Sequence, residues 1–249
     1  MAEVILGVER LVKRFGGLVA TNALSLHVNE AETHALIGPN GAGKTTLIAQ
    51  LQGELRPDSG TIRFRGTDIT AAPPHRRAQL GIARSFQITS VFGEFDAHTN
   101  VAMAAQAAQG HSFRLWRPAA LDADLNDAAE QALQMLGLAA RARVAAQDLS
   151  HGERRQLELA MALAMKPALL LLDEPMAGMG RSDSARLTEI LASLKQRYAI
   201  LLVEHDMDVV FALADRVSVL VSGAVIASGT PAQVRADPQV RSAYLGTEA

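Results

Sequence analysis

The sequence predicts an α/β fold built on a mainly parallel β-sheet, and two patterns carry this prediction. From residue 166 onward, short apolar runs alternate with helical patterns, beginning with "ALLLLDE" at 168–174 and "AILLVE" at 199–204. Continuous apolar strands that alternate with helices are typical of a parallel sheet covered on both faces. Residues 1 to about 85 instead contain short strand-like runs separated by turn signals, which indicates an N-terminal antiparallel β subdomain.

The pattern of residues from about 88 to 165 predicts mainly helices. An apolar stripe at helical spacing is clearest at Leu125, Ala128, Ala129, Ala132, Leu133 and Leu136. We therefore expect one domain over 1–249, in which 1–87 and 166–249 form the core with its β subdomain and about 88–165 form an inserted helical subdomain. The stretch "QGHSFRLWRP" at 109–118 is the best candidate for an irregular loop.

The composition limits the functional classes. The chain has 249 residues, of which 49% are hydrophobic, a formal net charge of −2 and no cysteine. Disulfides and cysteine-ligated metals are therefore excluded, and the lack of a basic excess argues against nucleic acid as a partner. The N-terminus lacks the pattern of a signal peptide, and no run of 18 apolar residues occurs, so we expect neither secretion nor a membrane span.

The strongest motif is "GPNGAGKTT", which fits G-x-x-x-x-G-K-[ST] between an apolar strand and a helix. Glycines allow successive backbone N–H groups to surround a phosphate, and the helix N-terminus favours the negative charge. Lys44 is predicted to neutralise the terminal phosphates and Thr45 to bind Mg²⁺. The alternative is a glycine-rich turn that binds nothing. The predicted phosphate loop comprises Gly38, Pro39, Asn40, Gly41, Ala42, Gly43, Lys44, Thr45 and Thr46.

An acidic pair follows the most apolar predicted strand. "ALLLLDEP" places Asp173 and Glu174 at the carboxyl end of that strand, where parallel sheets bind their ligands. Asp173 suits a contact to Mg²⁺, and Glu174 suits a general base that activates water for attack on a γ-phosphate. Such a pair alone could equally be a helix cap or a solvated turn.

A third motif, "LSHGE" at 149–153, opens an apolar helical pattern. Ser150 and Glu153 have the spacing of a capping box, which satisfies free N–H groups at a helix start. Gly152 costs roughly 1 kcal/mol against alanine inside a helix, which indicates the close approach of another group.

The order of phosphate loop, "LSHGE" and "LLLLDE" resembles the ATP-binding cassette (ABC) family of ATPases, and the resemblance covers essentially the whole chain. It implies a P-loop NTPase core, ATP with Mg²⁺, and a head-to-tail dimer in which the signature of one subunit faces the ATP of the other. Ser150, His151, Gly152 and Glu153 are then nucleotide-binding residues, and Gly152 allows the helix start to approach the γ-phosphate.

Three smaller motifs match the same family one by one. Gln87 in "RSFQ" stands where the family has a glutamine that touches Mg²⁺ and the attacking water. His205 in "LVEHD" stands where a switch histidine contacts the γ-phosphate. Phe15 in "VKRFGG" matches the aromatic residue that stacks on adenine, with a core aromatic as the alternative.

The chain also departs from the family pattern. His151 replaces a glycine of the signature, Glu153 replaces its terminal glutamine, and "AGMG" at 177–180 replaces "SALD". The aspartate that supplies the family's usual contact across the dimer at that loop is therefore missing.

Several further sequence segments, including "GIARSFQIT" and "DEPMAGMG", resemble the cytoplasmic ATPases of bacterial branched-chain amino acid importers. That resemblance implies two membrane permeases, a second ATPase (related or a second copy), a periplasmic binding protein acting indirectly, and a place on the cytoplasmic face of the inner membrane. The alternatives are a urea or short-amide importer, a lipid or lipopolysaccharide exporter, a soluble ABC protein acting on DNA or ribosomes, and a small-molecule kinase.

Overall fold

The computed structural model describes residues 3–85, 91–109 and 122–242. Strands and helices follow one another within these ranges as expected for an α/β chain. In chain order they are β1 (Val4–Phe15), β2 (Leu18–Asn29), β3 (Thr33–Ile37), α1 (Lys44–Gln52), β4 (Ser59–Phe64), β5 (Thr67–Asp68), α2 (Pro74–Leu80), β6 (Ile82–Ser85), α3 (Ala97–Gln109), α4 (Ala123–Met135), α5 (His151–Ala164), β7 (Leu169–Asp173), α6 (Arg181–Leu194), β8 (Ala199–Val203), α7 (Met207–Leu213), β9 (Arg216–Val221), β10 (Ala224–Gly229), α8 (Pro231–Ala236) and α9 (Pro238–Val240).

The central sheet of the described ranges has the strand order β10-β9-β3-β8-β7-β6. Its neighbours pair in parallel, except that β10 runs antiparallel to β9 at one edge. The prediction of a mainly parallel sheet is confirmed. β3, which leads into the predicted phosphate loop, lies in the interior of this sheet between β8 and β9.

The leucine run of β7 is explained by burial on both faces of the central sheet. Leu169 and Leu171 pack with the N-terminal strands and α1, whereas Leu170 and Leu172 pack with the helices on the opposite side. Successive side chains of a strand point to opposite faces, so a central strand with two apolar faces has no polar alternation. Asp173 is the last residue of this buried strand, and Glu174 follows it.

A second sheet, with the order β2-β1-β4-β5 among the described residues, is antiparallel throughout and confirms the predicted β subdomain. The sequence did not indicate β1. This strand is 12 residues long, but its pairing with β2 shifts register at several points, and Arg10 adopts a positive φ of 46°. These irregularities interrupt the alternation of apolar and polar residues that normally identifies a strand.

Helices α3, α4 and α5 pack against one another and share one core with the strands β7 and β8. The predicted apolar stripe is confirmed, since Leu125, Ala129, Ala132, Leu133 and Leu136 are all buried. None of the helices in the three described ranges is long and apolar enough to cross a membrane. Gln109, the first residue of the predicted loop at 109–118, ends α3, and the rest of that loop lies outside the described residues. The division into subdomains stays a prediction.

Candidate functional site

The predicted phosphate loop runs from β3 to α1 and depends on two of its glycines for packing. A Cβ atom on Gly38 would lie 2.1 Å from the carbonyl oxygen of Leu220, and one on Gly43 would lie 2.2 Å from that of Ala20. Gly43 adopts a φ of 105° at the N-cap of α1, and within the described part of the chain no side chain caps this helix. The first N–H groups of α1 are therefore available to an anion.

Lys44, the first residue of α1, folds back over the loop. Its Nζ donates hydrogen bonds to the carbonyl oxygens of Gly38 at 2.6 Å and Pro39 at 3.1 Å. Burial lowers the pKa of Lys44, while the neighbouring carboxylates of Glu174 and Asp173 act in the opposite direction. The ammonium group thus stands between the loop and the acidic pair.

A cleft of about 300 Å³ brings the loop together with two other predicted site residues. Phe15 lies at the cleft and is 49% exposed, so it is not a core aromatic. Lys13 Nζ lies 5.7 Å from the centroid of the Phe15 ring. The lining of the cleft consists of Phe15, Leu18, Ala20, Asn40, Gly41, Ala42, Gly43, Lys44, Thr45, Thr46 and Glu174.

Glu174 reaches the cleft through an unusual backbone conformation. Its φ is 50°, its N–H donates to the carbonyl of Val203 at 2.9 Å, and its carbonyl accepts from the N–H of Ala177 at 3.0 Å. The turn that follows β7 is therefore fixed on both sides of Glu174. This turn places the residue after the buried strand at the phosphate loop.

Asp173 is buried and paired with a cation that the sequence did not reveal. Its side chain is 1% exposed, and its Oδ2 lies 3.2 Å from Arg84 Nη2. Burial raises the pKa of Asp173 and the nearby Glu174 carboxylate raises it further, whereas Arg84 and Lys44 lower it. Arg84 lies in β6 within the run "GIARS", and a charged residue inside a short predicted strand is the signal that could have indicated a buried ion pair.

His205 is found in a neighbouring cleft. Its side chain is 63% exposed and lies with the turn after β7 in a cleft of about 710 Å³. Among the residues that the structure describes, this cleft and the phosphate-loop cleft share no lining residue. Glu174 lines the phosphate-loop cleft, whereas residues 176–179 line the cleft that contains His205.

The signature residues form the start of α5 and confirm the predicted capping box. The N–H of Glu153 donates to Ser150 Oγ at 3.2 Å, and the N–H of Ser150 donates to Glu153 Oε2 at 2.8 Å. The second of these bonds lowers the pKa of Glu153, with Arg141 acting in the same direction. In the described ranges, residues 150–153 line neither of the two clefts.

Gly152 has a close neighbour within its own chain. A Cβ at this position would lie 2.9 Å from Oδ2 of Asp183, a residue of the first turn of α6. The Cε1 atom of His151 lies 3.4 Å from the position that a Cβ of Gly178 would take. The signature and the "AGMG" loop are thus in contact in one subunit, whereas the approach of a γ-phosphate to Gly152 stays a prediction.

The donor set fits a magnesium ion. Mg²⁺ prefers oxygen ligands and is usually held by one or two carboxylates together with substrate phosphates. Thr45 supplies a hydroxyl group at the phosphate-loop cleft, and Asp173 supplies a carboxylate that is buried beside Glu174, outside the described lining of that cleft, and paired with Arg84. Gln87, the third predicted ligand, lies outside the described residues.

A phosphate loop after an interior parallel strand, an acidic pair at the end of a nearby strand and a capped signature helix define an ATP-binding cassette. Residues 21–177 match the family described as ABC transporter, and residues 224–249 match the branched-chain amino acid ATP-binding cassette transporter family. The chain belongs to the ABC transporter ATPase family: it binds ATP and hydrolyses it.

Individual relatives cover nearly the whole chain. The high-affinity branched-chain amino acid transport ATP-binding protein LivG of Salmonella typhimurium is 38% identical, with 99% of each chain covered. The lipopolysaccharide export system ATP-binding protein LptB of Acidithiobacillus ferridurans is 34% identical, with 98% of each covered. A crystal structure of the ADP conformation of an ATP-binding cassette of an ABC transporter has a TM-score of 0.85 at 30% identity, covering 98% of this chain and 99% of that chain.

Proposed function

We propose that this chain is the ATP-hydrolysing subunit of an importer that takes up branched-chain or similar amino acids through membrane permeases. The relative LivG is named as a branched-chain amino acid transport ATP-binding protein. Residues 224–249 match the branched-chain amino acid ATP-binding cassette transporter family. The observation that carries the enzymatic part is the single cleft lined by the phosphate loop, Phe15 and Glu174.

In this cleft each residue has a chemical task. The N–H groups of residues 40–46 and the Lys44 ammonium bind the β- and γ-phosphates, and the Phe15 ring stacks on adenine. Glu174 accepts a proton from the water that attacks the γ-phosphorus, while the bond to the β-phosphate oxygen breaks. A bound Mg²⁺ would neutralise charge on the phosphates, and Thr45, Asp173 and Gln87 are the residues that would hold it.

The signature supports a two-chain site. The start of α5 does not line the phosphate-loop cleft of its own chain, as residues 150–153 are not among the described lining residues. In a head-to-tail pair these residues reach the ATP of the partner cassette, where Ser150 and the α5 N–H groups bind the γ-phosphate. His205 of the chain whose phosphate loop holds that ATP contacts the same γ-phosphate. The partner is a related cassette or a second copy of this chain.

Docking to permeases is supported by exposed apolar side chains beside the helical region. Phe92 and Phe95 are 53% and 45% exposed, and their ring centroids are 5.9 Å apart. ATP-driven closure of the two cassettes moves this region and passes the motion to permease helices near residues 88–100. The assembly sits on the cytoplasmic face of the inner membrane, receives cargo from a periplasmic binding protein and involves no nucleic acid.

Lipopolysaccharide export is the second candidate, because LptB is 34% identical over 98% of both chains. Import and export share the same cassette chemistry, so only the membrane partners distinguish them.

Identification of those partners tests the proposal. The Glu174→Gln variant, tagged and purified with ATP from detergent-solubilised native membranes, is analysed by mass spectrometry. We expect two permeases and a second cassette to copurify. The amino acid binding protein that matches these permeases would then identify the cargo. Lipopolysaccharide-export permeases would favour the second candidate. Ribosomes, DNA or only soluble proteins would contradict transport.

A further inference from the structure

We propose that Glu204 is a positioning residue for hydrolysis, which ties the turn that carries Glu174 to the turn that carries His205. The inference rests on the roles proposed above for these two residues. Glu204 is the first residue after β8, next to β7 in the central sheet, and its side chain is 0% exposed.

The two carboxylate oxygens of Glu204 accept from two different turns. Oε2 accepts from the N–H groups of His205 at 2.8 Å and Asp206 at 3.3 Å. Oε1 accepts from the N–H of Met176 at 3.3 Å, two residues after Glu174. One buried side chain therefore holds the backbone of both turns, and Met176, His205 and Asp206 line the same cleft of about 710 Å³.

The choice of a carboxylate is informative, because burying a charge is costly unless hydrogen bonds compensate it. The five preceding residues of β8, Ala199–Val203, are all buried and apolar, so a position needed only for packing would suit another apolar side chain. A carboxylate accepts at both oxygens, whereas glutamine has one accepting oxygen and an NH₂ group. Glutamine can therefore satisfy one of the two turns only.

The connection continues beyond Glu204. Asp206, whose N–H is bound by Glu204, caps α7 by accepting from the N–H groups of Asp208 and Val209. His205 Nδ1 lies 3.6 Å from Glu204 Oε2. The His205 backbone is thus held between Glu204 and the start of α7. If Glu174 and His205 act on the same phosphate, a small displacement of either side chain lowers the rate by up to about 10²-fold.

The test compares Glu204→Gln with a matched control in the full-length chain. Glu32 is also buried and hydrogen-bonded, to Asn29 N–H and Arg216 Nε, but it precedes β3, at the opposite end of that strand from the phosphate loop. ATP affinity, KM and kcat are measured for Glu204→Gln, Glu204→Asp and Glu32→Gln, with thermal unfolding to establish that each variant is folded. We expect Glu204→Gln to lower kcat about tenfold with KM and affinity within about twofold, and Glu32→Gln to leave kcat unchanged.

A second comparison separates positioning from general damage. Residues that act as a unit are not additive, so Glu204→Gln should lower kcat by less than about twofold in a His205→Ala background. A kcat of Glu204→Gln equal to that of the unaltered chain, or a full tenfold further loss in the His205→Ala background, would overturn the inference. If Glu174→Gln and His205→Ala lower kcat while Glu204→Gln does not, the proposed site stands and only the positioning role is lost. If Glu174→Gln keeps its rate, the proposed site itself is wrong.

Discussion

Glu174 adopts a strained backbone conformation at the phosphate-loop cleft. For a residue with a Cβ, a left-handed backbone costs roughly 1–2 kcal/mol, and the φ of Glu174 is 50°. Hydrogen bonds to Val203 and from Ala177 hold this conformation. Strained residues persist only where their surroundings fix them, and they are frequent in active sites. The strain thus supports the role of Glu174 at the phosphate loop.

We predict that Glu174→Gln lowers kcat for ATP hydrolysis by about 10²-fold or more, because a proton acceptor is lost, while ATP affinity is retained. The shape of the side chain and the backbone turn are unchanged. Steady-state phosphate release and titration calorimetry with ATP measure the two quantities. The exposed Glu189, on α6, gives the control Glu189→Gln, which should match the unaltered chain. An unchanged rate for Glu174→Gln would rule out its role as base.

Lys44→Ala should act on binding rather than on chemistry alone. It removes the ammonium group that the loop carbonyls of Gly38 and Pro39 hold in place. We expect ATP affinity to fall by at least about tenfold, which corresponds to about 1.4 kcal/mol. Calorimetry checks this against Lys195→Ala, which removes a lysine paired with Asp215 on another part of the surface. Ordinary ATP affinity in Lys44→Ala would contradict the assignment of the loop.

At the scale of the element, α1 is held at its C-terminal end and open at its N-terminal end. The guanidinium of Arg77, a buried residue of α2, donates to the carbonyls of Gln50 and Leu51, both at 2.7 Å, and to those of Thr70 and Ala72. These bonds satisfy the last carbonyls of α1, where a cation is also favoured by the helix dipole. Burial lowers the pKa of Arg77 to about 10. Arg77 thereby fixes the C-terminal end of the helix that begins at Lys44.

Arg77→Met should therefore lower the free energy of unfolding by about 3 kcal/mol, since it leaves buried carbonyl groups without donors. Arg77→Lys should recover less than half of this loss, because an ammonium group lacks the planar arrangement of donors. Urea unfolding measures both. The neighbouring Arg76 is exposed, and Arg76→Met should change stability by less than about 0.5 kcal/mol. Equal losses for Arg76→Met and Arg77→Met would show that the carbonyl contacts do not matter.

At the scale of the whole molecule, a polar chain through the buried His34 of β3 connects the two sheets. Nδ1 lies 2.9 Å from the carbonyl of His27 and Nε2 lies 2.8 Å from Ser218 Oγ, which is itself 2.9 Å from Ser228 Oγ. Because a carbonyl can only accept, the neutral ring donates from Nδ1 and accepts at Nε2. Burial lowers the pKa of His34 to about 4, while Glu32 and the hydrogen bond to the His27 carbonyl raise it and the charge of Arg216 lowers it.

This burial predicts a pH dependence of stability. The ordinary pKa of 6.5 in the unfolded chain lies above the folded value of about 4, so the unfolded state takes up the proton first as the pH falls. The contribution of His34 is complete above pH 6.5 and is lost between pH 6.5 and about 4, by up to about 3 kcal/mol. Urea unfolding from pH 4 to 7.5 should give a flatter curve for His34→Gln than for the unaltered chain. The exposed His75 supplies the control His75→Gln; parallel curves for all three chains would contradict the prediction.

The sequence predicted those features that depend on neighbours along the chain. The phosphate loop, the leucine strand and the capping box at Ser150 are local patterns with a direct physical reason. The partners of Asp173 and Gly152 were not predictable, because Arg84 and Asp183 come from distant parts of the chain and meet these residues only after the sheet and helices pack. Likewise, β1 was missed because its bulges break the alternation that reveals a strand.

The position of β3 between β8 and β9 also bears on how the protein is made. On a ribosome that adds 5–20 residues per second, roughly ten to thirty seconds pass between completion of the phosphate loop and emergence of β9. Helices α3, α4 and α5 contact one another over short sequence distances and can assemble during this interval, whereas β3 must wait for partners from the last third of the chain. Nascent chains should thus acquire ATP binding abruptly and late in translation, when β9 has joined the sheet.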